Sequence, residues 1–161
     1  GFDYPAGPII DKYSKNGNPK KFKFPIPKVK DLDFSFSGFK TSVLNFINKN
    51  VILDQNFIKN NVEDLCASVQ YTLIEILMLK INLAVKKTGI TQIAIGGGVA
   101  ANSELRKRLN DEGEKNNWKT YIPSINYTTD NAAMIGLVGY LKYKNSHLGN
   151  LKQKALSNYK I

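Results

Sequence analysis

The sequence of 161 residues is poor in the residue types that build disulfides and metal sites. It has one cysteine, Cys66, so no internal disulfide can form, and one histidine, His147, so no cluster of cysteine and histidine can hold zinc. Cys66 lies in an apolar stretch of predicted helix and is expected to be a small core side chain, whereas His147 is expected at the surface. The chain therefore offers no self-sufficient metal site.

Long apolar runs are also missing. No stretch of 18 or more uninterrupted apolar residues occurs, and the chain does not open with a charged and apolar leader. A membrane span and a secretory signal are not expected, and a cytoplasmic location is the default expectation. The composition, with 42% hydrophobic and 22% charged residues, is that of a globular unit and excludes disorder throughout.

The net charge of +10 is concentrated at the two ends of the chain. Residues 1–30 carry seven lysines against Asp3 and Asp11, and residues 131–161 carry five lysines and no acidic residue. If the two ends lie together, they form a face that attracts the phosphates of RNA or DNA. Only two of the 23 basic residues are arginine, however, so a general enrichment in lysine explains the charge equally well.

Residues 1–35 hold five of the six prolines, which predicts an extended segment interrupted only by a short helix over 9–15. Apolar spacing predicts a second helix over 38–48 with Ser37 as its N-cap. A long and largely buried helix is predicted from Asn61, as N-cap, to Gly89, as C-terminal stop.

The second half of the chain alternates predicted strands and helices. Strands are predicted over 90–95 and 119–123, and helices over 103–116 and 132–144, the last capped by residues 128–131. This order predicts a helix-rich α/β fold with a parallel pair of strands. Two strands are too few for a complete sheet, so part of the sheet is expected to be missing from this chain.

A run of three glycines, Gly96, Gly97 and Gly98, joins the first predicted strand to the following helix. Glycines at such a turn let a ligand approach the backbone, and the helix N-terminus offers free N–H groups to an anion. The small residues that follow leave room for a planar ring or a sugar, and the amide of Asn102 can recognise hydroxyl or amide groups. Two plainer interpretations stay open, a tight turn without ligand and a helix cap at Asn102.

Two further residues are candidates. Asp130, at a predicted helix start, is either an N-cap, or a metal ligand or acid/base group at a cleft, and a metal would need ligands from elsewhere. Gly7, within Tyr4-Pro5-Ala6-Gly7-Pro8, is either a turn residue or a backbone contact to a substrate.

Four segments in order resemble the tRNA threonylcarbamoyladenosine transferase family (TsaD). They are Asp3-Tyr4-Pro5-Ala6-Gly7-Pro8, the eight residues from Phe34 to Thr41, the eleven residues from Gly96 to Arg106, and Thr129-Asp130-Asn131-Ala132-Ala133-Met134-Ile135. The resemblance covers residues 1 to about 143 but only the C-terminal half of the family's length. Ala6 stands where the family usually has glycine, and Thr128 where cysteine is common.

This resemblance implies a partial actin-like ATPase fold with RNase H-like subdomains, lacking its N-terminal half. Residues 1–144 would be the C-terminal portion of that domain, with the extended segment over 1–35 and the α/β core over 36–144, and residues 145–161 a lysine-rich tail. The implied reaction moves the threonylcarbamoyl group from L-threonylcarbamoyladenylate to N6 of adenosine 37 in tRNAs reading codons that begin with A, and it releases AMP.

The resemblance also assigns residues and partners. Gly7 and Asn102 match substrate-binding positions, with Gly96, Gly97 and Gly98 as supporting candidates for the nucleotide loop. Asp130 matches a ligand of Fe²⁺, one ion per subunit, whose histidine ligands belong to the missing half. The implied partners are tRNA and the other proteins of the modification complex, of the TsaB and TsaE type. We expect the isolated chain to be inactive. A non-catalytic assembly module and an actin-like nucleotide-binding ATPase domain remain as alternatives.

Overall fold

The computed structural model of the chain describes residues 2–150, 152 and 154. It forms two compact units, Gly1–Thr128 and Thr129–Ile161. The first unit contains α1 (Ala6–Ser14), α2 (Phe36–Leu53), α3 (Phe57–Thr88), β1 (Gln92–Ala94), α4 (Ser103–Asn116) and β2 (Lys119–Tyr121), with short 3₁₀ helices at Gly98–Ala101 and Ile125–Tyr127. The second unit contains α5 (Ala132–Lys144).

The first 35 residues are less extended than their prolines suggest. Helix α1 begins at Ala6, three residues before the predicted start, because Pro8 falls in its first turn, where a missing N–H breaks no hydrogen bond. After α1 the chain makes a close approach to α3 at Gly17, where a Cβ would lie 2.1 Å from the carbonyl oxygen of Glu63. Only glycine fits this position without a shift of backbone.

Of the predicted N-caps of the next two helices, Ser37 is wrong, and Asn61 lies at a kink inside a longer helix. Helix α2 begins at Phe36, so Ser37 lies inside its first turn, and the cap position belongs to Ser35. Helix α3 begins at Phe57, four residues before the predicted start, and Asn61 has a non-helical backbone (φ −132°, ψ 17°) at a kink where two helical stretches join. The side-chain amide of Asn61 donates to the carbonyl of Phe57, which is the local competition that suits asparagine to caps and breaks.

The predicted parallel pair of strands is confirmed. Strands β1 and β2 pair with Gln92 opposite Lys119 and Ala94 opposite Tyr121. Helix α4 occupies the predicted residues 103–116, and α3 ends at Gly89 in the left-handed conformation (φ 71°) expected of a C-terminal glycine. The observed architecture is therefore helix-rich α/β with a small parallel sheet.

Two clusters of apolar side chains hold the first unit together around α3. One joins α3 to α4 and the sheet through Ile74, Met78, Leu105 and Leu109, of which Leu109 is fully buried. The other joins α3 to α2 and to the segment before it, and consists of Phe24, Phe39 and Ile76 with Phe22, Val43, Phe46, Val69 and Leu73 around them. Ion pairs add further links to α3, among them the contact of Arg108 on α4 with Glu75 on α3 at 2.7 Å.

Helix α3 is long and apolar enough to cross a membrane by length and composition, with a mean hydropathy of 1.3 over its most apolar window. Central helices of folded domains share both properties. Its buried residues pack against α1, α2 and α4, so the helix is accounted for as the core of the first unit.

In the second unit, Asn131 caps α5 by accepting a hydrogen bond from the backbone N–H of Met134 at 3.2 Å. The helix covers the predicted residues 132–144. His147 is exposed, as predicted. Much of the predicted tail over 145–161 lies outside the described residues, at 151, 153 and 155–161.

Candidate functional site

The glycine run forms the turn that the sequence predicts, with one difference. Gly97 has a positive φ of 75°, a conformation that favours glycine. The difference is that the run does not lead directly into α4, because a 3₁₀ turn over Gly98–Ala101 comes first. A Cβ built on Gly96, Gly97 or Gly98 would meet nothing within 4 Å. The glycines are therefore not required by internal packing, and the space beside this turn is open to a ligand.

Arg106 holds the turn in place from inside the first unit. Its guanidinium donates to the carbonyl of Ala100 at 2.8 Å and to the carbonyl of Pro123 at 2.7 Å. The loop after β1 is thereby tied to the loop after β2. An arginine serves here because its planar group can donate to two acceptors in fixed directions.

Asn102 sits at the N-cap of α4, so the plainer interpretation of this residue is correct. Its Oδ1 accepts a hydrogen bond from the backbone N–H of Leu105 at 2.9 Å. Its Nδ2 donates to Oε1 of Gln70, on α3, at 2.7 Å. A carboxamide has two N–H groups and two lone pairs, so these bonds leave one N–H and one lone pair of Asn102 for a ligand.

Two residues that sequence reasoning missed complete the polar surroundings of this cap. Gln70 is 7% exposed and also donates from Nε2 to Oγ of Ser14 at 2.7 Å. Asp11, on α1, accepts from Oγ of Ser103 at 2.9 Å and lies at the N-terminus of α4, where a carboxylate is favourable. The available signal was the spacing of Gln70 four residues from Cys66 and from Ile74, which puts a polar side chain on the buried face of α3.

Gly7 and Asn102 line the same cleft, which has a volume of about 150 Å³. The cleft lies between α1, α3 and the start of α4, and its other lining residues are Ile10, Val69, Gln70, Leu73, Ile74, Leu77, Val99 and Leu105. A Cβ on Gly7 would meet nothing within 4 Å. The structure thus brings together the two predicted substrate contacts, beside the valine that follows the glycine turn.

Asp130 belongs to the second unit, where it is exposed and the helix cap is Asn131 instead. Among the described residues, no three His, Cys, Asp or Glu side chains come close enough together to hold a metal ion. One exposed carboxylate does not make an iron site. The residues that the structure describes therefore do not fit an iron ion by themselves.

The titratable groups with shifted pKa values lie outside the cleft. The backbone N–H of Asn18 and the ammonium of Lys21 lower the pKa of Asp64, and Lys87 lowers the pKa of Asp31. Burial raises the pKa of the Cys66 thiol, which agrees with a core role and not with a nucleophile. The expectation that both basic ends form one face stays a prediction, since residues 1–30 and 131–161 belong to different units.

Fold and cleft define a class of protein, an α/β domain in which a glycine turn leads from a parallel strand to a capped helix beside a small, largely apolar cleft. The family model described as "TsaD: tRNA N6-adenosine threonylcarbamoyltransferase" matches residues 1–137. The chain belongs to this family, which confirms the resemblance carried by the four segments.

Curated relatives agree. A protein of Christiangramia forsetii named tRNA N6-adenosine threonylcarbamoyltransferase is 54% identical over all 161 residues, which cover 47% of its length. Proteins of the same name from Riemerella anatipestifer and Thermosipho africanus are 52% and 46% identical, over 99% and 100% of this chain and 47% and 48% of their own length. The chain spans about half the length of the curated relatives it matches.

Proposed function

We propose that this chain contributes the nucleoside-binding side of a tRNA N6-adenosine threonylcarbamoyltransferase. In this reaction the threonylcarbamoyl group leaves L-threonylcarbamoyladenylate for N6 of adenosine 37 of tRNA, and AMP is released. The observation that carries the proposal is the cleft shared by Gly7 and Asn102. Family membership supports the chemistry, and the lining of the cleft supports the binding of part of the substrate there.

The size and lining of the cleft favour one part of the adenylate. Its volume of about 150 Å³ is below the roughly 300–1,000 Å³ of pockets that enclose a drug-sized ligand. Apolar residues dominate the lining, and the free N–H and lone pair of Asn102 suit a group that both accepts and donates, such as a ribose hydroxyl. We assign the cleft to the nucleoside and leave the threonylcarbamoyl group outside it.

The finer parts of the proposal extend to the whole protein. We propose a partial actin-like fold, a cytoplasmic location, and tRNA and proteins of the TsaB and TsaE type as partners; the seven lysines of residues 1–30 support the tRNA. Iron binding through Asp130 is proposed only with further ligands from outside this chain, and no step of the reaction is routed through it. Residues 1–161 alone are expected to release no AMP from the adenylate in the presence of tRNA.

The test compares two glycine substitutions in the full-length protein that contains this chain. Gly7→Ala adds a methyl group that meets no protein atom within 4 Å but enters the space beside the cleft. Gly139→Ala, on α5, is the matched control because its Cβ also meets nothing within 4 Å. Calorimetric titration with AMP should show weaker binding for Gly7→Ala only, with both melting temperatures within about 2 °C of the parent. Equal AMP affinity in all three proteins would contradict the assignment of the cleft.

A further inference from the structure

We propose that Gln70 is a positioning residue, which fixes the carboxamide of Asn102 in the orientation that meets the nucleoside. The inference rests on the proposed function of the cleft and goes beyond it, because it adds a residue from the core helix α3. Gln70 is buried, lines the same cleft as Asn102 and Gly7, and contacts Asn102 directly. Its own contacts determine which way the amide of Asn102 can face.

The hydrogen bonds run in one direction between two backbone groups. At one end the N–H of Leu105 can only donate, so it must face Oδ1 of Asn102. Nδ2 of Asn102 therefore faces Gln70, whose Oε1 accepts, and Nε2 of Gln70 must then donate to Oγ of Ser14. At the other end the hydroxyl of Ser14 donates to the carbonyl of Asp11 at 2.8 Å, and this carbonyl can only accept. Each amide in the series therefore has one orientation that satisfies both of its neighbours.

For a ligand, the consequence is that the positions of the hydrogen-bond donor and acceptor of Asn102 are fixed. Capping alone would hold Oδ1 of Asn102 at Leu105 but would leave its N–H groups without a fixed direction. Gln70 takes up one N–H of Nδ2 and so holds the plane of the amide, which fixes where the second N–H is offered. A structural role alone would change stability, whereas a positioning role changes ligand affinity through Asn102 and only through Asn102.

The test uses four single variants and one double variant of the full-length protein, with AMP as the probe. Gln70→Leu removes both hydrogen bonds. Gln70→Glu is the rescue, because one carboxylate oxygen can accept from Asn102 while the other accepts from a rotated Ser14 hydroxyl. Thr72→Val is the matched control, since Thr72 is on the same helix, is 6% exposed, and donates only to the carbonyl of Ser68 within α3. Asn102→Ala completes a double-mutant cycle with Gln70→Leu.

We expect Gln70→Leu to weaken AMP binding about tenfold and Gln70→Glu to stay within about threefold of the parent. Thr72→Val should bind AMP as the parent does, even if its melting temperature falls. In the Asn102→Ala background, Gln70→Leu should cost no further affinity. Parental AMP affinity in Gln70→Leu, or a loss that adds to that of Asn102→Ala, would overturn the inference while leaving the proposed function intact.

If Asn102→Ala itself binds AMP as tightly as the parent, the proposed function of the cleft is wrong and the inference falls with it. A second measurement does not depend on any ligand. Hydrogen exchange of the side-chain NH₂ group of Asn102, followed by nuclear magnetic resonance, should be slow in the parent and in Thr72→Val and faster in Gln70→Leu. Unchanged exchange in Gln70→Leu would contradict the hydrogen-bond series directly.

Discussion

Two substitutions of Asn102 distinguish the two structural roles of its side chain, the N-cap of α4 and the hydrogen bond to Gln70. Asn102→Ala removes the N-cap of α4, and loss of such a cap costs about 0.5–2 kcal/mol. It also leaves Oε1 of Gln70 without its donor, and an unsatisfied buried acceptor costs about 1–3 kcal/mol. A water molecule in the adjoining cleft can replace part of the second loss, so we expect about 2–3 kcal/mol in total.

Asn102→Asp should be far milder, although it also lacks the amide. A carboxylate is among the strongest N-caps, so the bond from Leu105 is kept. The amide of Gln70 can then turn over, donating to the new carboxylate from Nε2 and accepting the Ser14 hydroxyl at Oε1. We expect a loss within about 1 kcal/mol of the parent, since the number of unsatisfied groups hardly changes.

Urea denaturation followed by circular dichroism measures the free energy of unfolding of both variants. Equal dependence of that free energy on urea concentration in the parent and the variants makes the comparison valid. Asn116→Ala is the matched control: Asn116 ends the same helix, is exposed, and bonds only within α4, so a change below about 0.5 kcal/mol is expected. If both substitutions at Asn102 cost the same, the reasoning about reorientation of Gln70 is refuted. If Asn102→Ala costs less than the control, the cap itself contributes nothing.

Three further predictions concern the first unit. Gly17→Ala should destabilise it by about 1–3 kcal/mol, because the new Cβ would lie 2.1 Å from the carbonyl oxygen of Glu63, a backbone atom that cannot move alone. Leu109→Ala should cost about 3 kcal/mol in urea denaturation, because Leu109 is 0% exposed between α3, α4 and the sheet. The lowered pKa of Asp64 means that this carboxylate stabilises the fold above the unfolded-state pKa, so the melting temperature of the parent should exceed that of Asp64→Asn at pH 7. The difference should shrink as the pH falls below about 4 and should vanish below the lowered pKa of the folded state.

The first two of these predictions each have a control substitution for which no large effect is expected. Gly139→Ala meets no atom within 4 Å, and Leu53→Ala removes a side chain that is 77% exposed, so both should change the free energy of unfolding by less than about 0.5 kcal/mol. If Gly17→Ala changes the free energy of unfolding as little as Gly139→Ala does, the chain after α1 does not approach α3 as closely as described. A constant difference between the parent and Asp64→Asn from pH 7 to pH 3 would contradict the assigned cause.

Local signals in the sequence predicted the second half of the first unit well. Helix α4 lies between an asparagine cap and a turn at Asn117, and both ends depend on residues within a few positions. Strand β1 and the glycine turn are likewise defined by neighbours in sequence, and so is the glycine that ends α3. These elements were predictable because the residues that specify them are adjacent to them.

Tertiary contacts decided the elements that were misplaced. Asn61 has the chemistry of a helix start, yet the chain is already helical from Phe57, whose ring packs against Phe22 and Phe46 at centroid distances of 5.7 and 6.0 Å. The added turn is stabilised by an aromatic cluster with Phe22, a residue 35 positions earlier in the chain. No property of the residues around Asn61 reveals that cluster, so the helix could not be extended from sequence alone.

The candidate site likewise combines residues that local motifs predict with residues that only tertiary contacts bring together. Motifs located Gly7 and Asn102, but the cap of α4, the burial of Gln70 and the hydroxyl of Ser14 together determine what Asn102 can offer a ligand. Asn102 can therefore both cap α4 and bind a ligand. The hydrogen bond that caps the helix uses one lone pair of Oδ1 and orients the remaining polar groups of the side chain. A motif identifies the residue that we propose meets the substrate, whereas the orientation of its polar groups depends on side chains on α1 and α3 that carry no motif of their own.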